Sequence, residues 1–372
     1  MKNSWIHIQS GSVPRQARVA VPYGLREEHV SRQGFAGQTA MLYHRNPPTK
    51  ALRAEGPLVP LACDVAGLQP ADLLDAYGGP LQMLSNDDVT VSISRRAAAM
   101  PFCLRNLDAD TLYFVHRGTG VFATEFGPLA YRPGDFIHIP KGITWRQMPD
   151  AEGGNDGYFI VYESAQPIRF TEHAQVGRHA PFDPTVVEIP QVADYGWPAQ
   201  PEWELRMKHG AEHTSIFYAH CPMDLAGWKG DLFPHRLNIE DIRPITSERI
   251  HVAPSSWSVY ETDAFMLVAF LPMSIVADPL AEELPDYHRN IDTEEALFVH
   301  RTGRRAEGTL MHMPQGVTHG PTEESRHAFE AIRKLGMERD FVALSLDTFK
   351  RLHRSPELRA HAPANPPKRG KF

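Results

Sequence analysis

Two histidines and a glutamate in the C-terminal half of the chain have the types and spacing of a metal site. His288 and Glu294 are six residues apart, and His319 follows a turn at Gly316. Two imidazoles and one carboxylate are the donor set of mononuclear non-haem ferrous centres, which keep metal positions open for substrate and O2. We therefore predict that His288, Glu294 and His319 bind Fe(II).

Neighbouring residues offer alternatives within this set. Glu295 adjoins Glu294, but Glu294 precedes a Phe-Val-His-Arg motif by the same step as Asp110 does earlier in the chain, so Glu294 is preferred. His312 precedes His319 by seven residues. It is a candidate for substrate contact, for a hydrogen bond to a ligand residue, or for a purely structural role. His319 itself is a second candidate for substrate contact.

This preference depends on an internal repeat. The Phe-Val-His-Arg motif of residues 114–117 returns 184 residues later at 298–301. A second motif, around His138, returns around His312 after a loop that is ten residues shorter. The positions of His288, Glu294 and His319 are occupied in the first copy by Leu104, Asp110 and Trp145. We predict a duplicated fold with one active centre and one silent one, in which His116 and His300 are structural.

Short strands joined by turns must position these side chains. The 32 prolines and 27 glycines argue against long helices, and apolar residues alternate or form short runs between them. Strands are predicted at 112–124, 134–140, 157–162, 257–261, 264–271, 296–300, 309–313 and 342–346, with helical turns at 71–76 and a helix at 323–335. The Gly-Asp-x-x-x-x-Pro-x-Gly motif at 134–142, repeated in degenerate form at 313–316, is typical of cupins, which are double-sheet jelly rolls.

The fold class predicted from these signals is all-β. We expect a bicupin, two jelly-roll units, with an extended N-terminal arm and a short C-terminal helical segment. The predicted divisions are an arm at 1–54, a first cupin unit without metal at 55–165, a linking region at 166–240, a second cupin unit with the metal site at 241–350, and a tail at 351–372.

Composition limits the partners. The net charge is −7 and no basic stripe stands out, so we expect no nucleic-acid partner. No apolar run approaches the roughly 20 residues of a membrane span, and residues 1–14 lack the pattern of a signal peptide. Three well-separated cysteines, Cys63, Cys103 and Cys221, are expected to be reduced thiols. We therefore expect a cytoplasmic protein without membrane contact.

Motifs around the predicted ligands resemble homogentisate 1,2-dioxygenase. The Tyr-His-Arg-Asn motif at 287–290, the Glu six residues after its histidine, and the His-Gly-Pro motif at 319–321 are similar to that family. Segments 227–238 and 249–255 are similar as well, so the resemblance covers most of residues 225–350 and extends more faintly to the first unit. The resemblance implies an Fe(II)-dependent extradiol-type dioxygenase that opens the ring of homogentisate or a related hydroquinone with O2, as in tyrosine degradation.

The same resemblance assigns roles to further residues. It implies that His251 is the catalytic acid/base for a substrate hydroxyl, a task that suits an imidazole because its pKa lies near working pH. It also implies a homo-oligomer. The family has a substrate tyrosine soon after the glutamate, and the matching position falls near Gly303, where this chain is shorter. Tyr287 is a nearby candidate for substrate contact, and Arg304 and Arg305 could pair with an acidic substituent.

Two other readings remain open from the sequence. The first is a metal-dependent cupin isomerase or decarboxylase that uses Mn2+, Ni2+ or Zn2+; metal analysis and O2 dependence would distinguish it. The second is a non-catalytic bicupin that binds a small aromatic ligand or builds an oligomer, and tight binding without turnover would support it.

Overall fold

The computed structural model describes residues 8–150, 157–173, 176–282, 287–302, 307–321, 323–336 and 340–362. Short strands dominate these ranges, because Pro and Gly interrupt the apolar runs before a long helix can form. The strands, in chain order, are β1 (Arg26–Gln33), β2 (Ala36–His44), β3 (Leu61–Asp64), β4 (Leu81–Ser85), β5 (Val89–Ser94), β6 (Cys103–Asn106), β7 (Asp110–Arg117), β8 (Gly120–Thr124), β9 (Gly127–Tyr131), β10 (Asp135–Ile139), β11 (Thr144–Pro149), β12 (Tyr158–Ser164), β13 (Arg169–Phe170), β14 (Trp203–His209), β15 (Glu212–Tyr218), β16 (His235–Asn238), β17 (Ser258–Glu261), β18 (Phe265–Phe270), β19 (Tyr287–Asn290), β20 (Glu294–Thr302), β21 (Thr309–Met313), β22 (Phe341–Thr348) and β23 (His353–Arg354).

Two sheets form the first unit. One has seven strands in the order β16-β10-β7-β12-β5-β4-β23, and the other has six in the order β15-β14-β6-β11-β8-β9. Tyr113, Phe122, Trp145 and Phe159 fill the space between these sheets. Successive side chains of a strand point to opposite faces, so the neighbours of Tyr113 on β7 face away from this interior.

The second unit repeats the design with a smaller second layer. Its large sheet has seven strands in the order β13-β17-β18-β22-β20-β21-β3, and a three-stranded sheet has the order β19-β1-β2. Trp257, Phe270, Leu297 and Val299 belong to a buried cluster of this unit. These paired layers confirm the all-β bicupin fold that the repeat and the turn motifs predict.

The two seven-stranded sheets share one core. Leu112 and Phe114 of β7 lie in the same buried cluster as Phe298 of β20 and Leu344 of β22. At the edge of this junction the Nδ1 atoms of the repeat-related His116 and His300 are 2.9 Å apart, so one ring donates to the other. The structural role predicted for both histidines therefore lies in the contact between the two units.

Strands cross the divisions drawn from the sequence. β3, inside the range predicted for the first unit, pairs with β21 of the second, and β23, inside the predicted tail, pairs with β4 of the first. β14 and β16, inside the predicted linking region, extend the two sheets of the first unit. The predicted arm contributes β1 and β2, and β1 pairs in parallel with β19.

The described residues include three α-helices among these strands: α1 (Ala71–Leu74), α2 (Glu323–Lys334) and α3 (Pro356–His361). α1 and α2 confirm the predicted helical turns and the predicted helix. In the described part of the chain, no helix combines the length and the apolar character that crossing a membrane requires.

Candidate metal centre

Three elements of the second unit bring possible metal ligands together. His288 in β19, Glu295 in β20 and His319, which follows β21, each offer a ligand atom, and these atoms lie within 4.8 Å of one another. Glu295 Oε2 is 3.1 Å from His319 Nε2 and 3.8 Å from His288 Nε2. Burial alone would raise the pKa of Glu295, but hydrogen bonds with His288 and His319 hold that pKa well below its usual range. The cluster can hold one metal ion with two imidazoles and one carboxylate.

The structure corrects the predicted carboxylate. Along β20, Leu297 belongs to the cluster of the second unit, whereas Phe298 belongs to the junction between the units. Because side chains alternate along a strand, Glu295 shares the face of Leu297 and Glu294 shares the face of Phe298. Glu295, and not the predicted Glu294, therefore stands beside the two histidines.

Glu294 instead has a structural role that the first unit repeats. Its Oε2 accepts hydrogen bonds from His312 Nε2 at 2.9 Å and from a backbone N–H 58 residues further along the chain at 2.7 Å. Asp110 Oδ2 accepts from His138 Nε2 at 3.2 Å and from a backbone N–H, again 58 residues further along, at 2.9 Å. The equivalence of Glu294 with Asp110 is therefore real, but it marks a structural pair in each unit and not a ligand.

Both ring nitrogens of His312 are bound by other side chains. The guanidinium of Arg354 donates from Nε to His312 Nδ1 at 2.9 Å, so the imidazole proton is on Nε2 and points to Glu294. Both nitrogens are occupied and the side chain is buried. Of the three roles considered for His312, the structure supports the structural one.

Tyr287 also faces away from the cluster. Its hydroxyl donates to Glu323 Oε1 of α2 at 2.9 Å, and it precedes His288 on the same strand, so the two side chains point to opposite faces. Burial raises the pKa of Tyr287 to about 12, which keeps the hydroxyl protonated. The predicted contact between Tyr287 and substrate is not supported by this geometry.

The first unit contains the same backbone arrangement with different side chains. His288 and His319 exchange backbone hydrogen bonds of 2.9 Å in both directions, and Leu104 pairs with Trp145 in the corresponding place. The ring of Trp145 is buried and packs against Tyr113 with ring centroids 5.6 Å apart. An indole and an aliphatic side chain offer no metal ligand at these two positions.

The tautomer of His319 favours a cation in the cluster. Its Nδ1 lies 2.9 Å from the carbonyl oxygen of Val317, which can only accept, so Nδ1 carries a proton. A neutral His319 then directs the lone pair of Nε2 at the carboxylate of Glu295, 3.1 Å away. Two lone pairs that face each other repel, so either a second proton or a metal ion must lie between His319 Nε2 and Glu295 Oε2. A metal ion fits because it would bind both atoms.

A second acidic side chain lies directly beside Glu295. Asp347 of β22 is the direct cross-strand partner of Glu295, so their side chains share a face. Burial and the charge of Glu295 raise the pKa of Asp347 to about 8. In the first unit the corresponding partner of Thr111 is Glu163, and its carboxylate is bound by the Lys208 ammonium. Among the described residues, no Lys or Arg forms such an ion pair with Asp347, so a bound dication would replace the missing lysine.

We expect Asp347→Asn to weaken divalent metal binding by about 10- to 100-fold, the usual range for groups behind a metal site. The reason is that a bound dication would favour the ionised form of Asp347, whereas the amide that replaces it cannot ionise, and no ligand is lost. Chelator competition on the purified protein measures the dissociation constant of the metal. Glu163→Gln, at the same position of the silent unit, is the matched control and should bind metal as the wild type does. If Asp347→Asn has the same metal dissociation constant as the wild type, Asp347 does not support metal binding.

The N-terminal hairpin covers the cluster, which the sequence did not predict. In the parallel pair of β1 and β19, His29 is in register with His288. The turn between β1 and β2 places the Phe35 ring 4.6 Å from the His288 ring, and a Cβ built on Gly34 would lie 3.4 Å from Asp347 Oδ2. No local pattern indicates this contact, because the partners are distant in sequence and become neighbours only through sheet pairing.

The predicted catalytic residue His251 is buried near this hairpin. Its Nδ1 lies 3.0 Å from the carbonyl oxygen of Val252, so the proton is on Nδ1 and the lone pair is on Nε2. The carbonyl of His251 accepts a hydrogen bond of 3.0 Å from Arg18, and Arg18 also donates to His29 Nδ1 at 3.2 Å. Arg18 therefore connects the segment of His251 to the hairpin over the metal cluster. The positions considered for the family's substrate tyrosine and for an acidic substituent, Gly303, Arg304 and Arg305, lie outside the described residues.

Two fused jelly-roll units define the chain as a bicupin, and the described residues of the second unit include a cluster of metal-ligand side chains. A family model described as "Homogentisate 1,2-dioxygenase N-terminal" matches residues 72–239. A protein of Saccharolobus solfataricus named "Putative dioxygenase" is 26% identical over 351 residues, which cover 88% of each chain. Together these matches support a divergent member of the homogentisate dioxygenase-like family, the family that the motifs resemble.

Solved structures with similar folds are much more distant in sequence. A cupin 2 conserved barrel domain protein from Leptotrichia buccalis is 9% identical, with a TM-score of 0.33 over 73% of this chain and 88% of its own. The YlbA protein from E. coli is 8% identical, with a TM-score of 0.36 over 82% of this chain and 96% of its own. The assignment of the fold rests on the sheet pairing described above.

Proposed function

We propose that this protein is an Fe(II)-dependent, ring-cleaving dioxygenase of the extradiol type that acts on homogentisate or a related hydroquinone. The observation that carries the proposal is the cluster of His288, Glu295 and His319, whose ligand atoms lie within 4.8 Å of one another. In the first unit Leu104 and Trp145 occupy the positions of the two histidines. Two histidines and one carboxylate are the ligand set of non-haem ferrous oxygenases. The likeness to the homogentisate dioxygenase family supports the reaction and the substrate class.

The chain would supply the ligands and the surroundings, and the metal would supply the oxygen chemistry. Fe(II), when bound, transfers charge between substrate and O2, which no amino-acid side chain can do. Both atoms of O2 enter the ring-opened acid, so the reaction needs no external reductant. The hairpin of β1 and β2 would exclude water above the cluster, with Phe35 placed against His288.

His251 is proposed as the group that takes the proton of the substrate hydroxyl and later returns it. Its buried ring has the lone pair on Nε2, the state that a general base needs. Arg18 would hold the segment of His251 in place through the His251 carbonyl. The proposed partners are a small aromatic substrate and O2, and the proposed assembly is a homo-oligomer in the cytoplasm.

The test is an oxygen-electrode screen of protein reconstituted with Fe(II) under anaerobic conditions. Homogentisate should be consumed with one O2 per molecule, and 18O2 should place two labelled atoms in the acid. Gentisate and substituted hydroquinones complete the panel. Absence of O2 uptake across the panel contradicts the proposed function. Turnover without O2 on Mn2+, Ni2+ or Zn2+ would show an isomerase or decarboxylase, and tight binding without turnover would show a binding protein.

A further inference from the structure

The geometry points to His29 as a further ligand-binding residue of the candidate metal centre. We propose that its Nε2–H donates a hydrogen bond to an oxygen of the substrate, a phenolate or carboxylate oxygen bound beside the metal. The inference deepens the proposed function and rests on it for the identity of the substrate. The position of the donor depends only on the fold.

The tautomer of His29 is fixed by its neighbour. The guanidinium of Arg18 lies 3.2 Å from His29 Nδ1, and a guanidinium can only donate. Nδ1 is therefore the acceptor of this bond, and the proton of a neutral imidazole must be on Nε2. His29 presents one N–H donor in a known direction relative to its ring.

His29 lies on the same side of the sheet as a metal ligand. It is in register with His288 in the parallel pair of β1 and β19, and residues in register on neighbouring strands project to the same face. Phe35 contacts both rings, with centroids 5.1 Å from His29 and 4.6 Å from His288. The donor is therefore one strand away from the proposed iron ligand, under the same aromatic cover.

The donor is buried and lacks a partner. His29 is only 9% exposed, and among the described residues its Nε2 makes no hydrogen bond. Buried polar groups are nearly always paired, since an unpaired one costs the free energy of its lost hydration. A ligand oxygen beside the metal would supply that hydrogen bond. The donor is therefore already in position before such a ligand binds.

The silent unit provides an internal comparison. There β14 pairs in parallel with β6, and Arg206 is in register with Leu104, the counterpart of His288. The guanidinium of Arg206 donates to Glu204 at 2.9 Å and covers the Phe102 ring at 3.9 Å. In the first unit, the side chain at this position therefore has its hydrogen-bond partner within the protein. Of these two equivalent positions in the described hairpins, only that of His29, in the unit with the metal-ligand cluster, has an unpaired donor.

The test measures binding to protein loaded with Zn2+, which binds the same ligands and does not activate O2. Calorimetry uses two probes, homogentisate and acetate. We expect His29→Phe to weaken the binding of at least one probe by about tenfold or more, the effect of losing a hydrogen bond to a charged oxygen. His29→Gln keeps an N–H at a similar position and should recover most of the affinity. Arg206→Met is the matched control and should bind as the wild type does.

The outcomes separate this inference from the proposed function. Suppose that His29→Phe loses acetate binding and that the wild type does not bind homogentisate. This result would support the hydrogen bond from His29 to a ligand oxygen and would contradict the proposed substrate class. Equal affinities in the wild type and His29→Phe, or no binding of either probe to the wild type, overturn the inference, whatever O2 uptake shows. The zinc content and the thermal unfolding of each variant are measured as controls. They test whether weaker binding results from lost metal or from an unfolded protein. Nitrogen-15 spectra should show His29 protonated on Nε2, and a proton on Nδ1 would also overturn the proposal.

Discussion

Glu295→Ala should leave the purified protein almost free of metal and without O2 uptake. The reason is that Glu295 contributes the only carboxylate of the described His288–Glu295–His319 cluster, and two histidines alone leave the charge of a dication uncompensated. Metal analysis after Fe(II) reconstitution and desalting measures the occupancy, and the oxygen electrode measures the activity. Near-stoichiometric iron in Glu295→Ala would contradict the assignment of this residue.

Glu294→Gln is the matched control for that experiment. It changes the adjacent glutamate, which binds His312 on the other face of β20, so iron should remain. Its cost should appear as lower stability, about 1–3 kcal/mol, because a buried charged acceptor of several hydrogen bonds is replaced by an amide. If Glu294→Gln loses iron and Glu295→Ala retains it, the prediction from the sequence is right and the geometry of the site is wrong.

The contrast between the two glutamates shows what the sequence could have revealed. The repeat correctly aligned Glu294 with Asp110, and each residue binds a histidine of the adjacent strand in its sheet. The error was to treat that equivalence, together with the six-residue spacing of the related family, as evidence for a ligand. Strand alternation was the better signal, because Leu297 marks the interior face and Glu295 shares it.

Other parts of the site had no signal in the sequence. His319 could be found because it follows the turn that recurs in the repeat, and His288 because it lies in a Tyr-His-Arg-Asn motif shortly before a glutamate. His29 and Phe35 could not, because their approach to His288 depends on parallel pairing between β1 and β19. Such pairing joins distant segments without a connecting turn, and only the chain's tertiary structure sets its register. The hairpin of β14 and β15 occupies the equivalent place in the first unit. The hairpin of β1 and β2 is therefore part of the repeat.

Phe298→Ala should lower the free energy of unfolding by about 3–5 kcal/mol, the usual cost of truncating a fully buried phenylalanine. Phe298 is 1% exposed and lies in the core shared by both seven-stranded sheets, where its ring meets Tyr158 and His116 of the first unit. Denaturant titration measures the loss. Phe217→Ala, at a residue that is 57% exposed, should change stability by less than about 0.5 kcal/mol.

The shared core also determines how the protein should unfold. Since the junction joins both units and strands β3 and β23 cross between them, neither unit keeps its full set of strands without the other. We therefore expect one calorimetric transition in the wild type and one, at lower temperature, in Phe298→Ala. Two separate transitions would show that the units are independent. In that case the silent unit would not be the support that holds β20, and with it Glu295, in position.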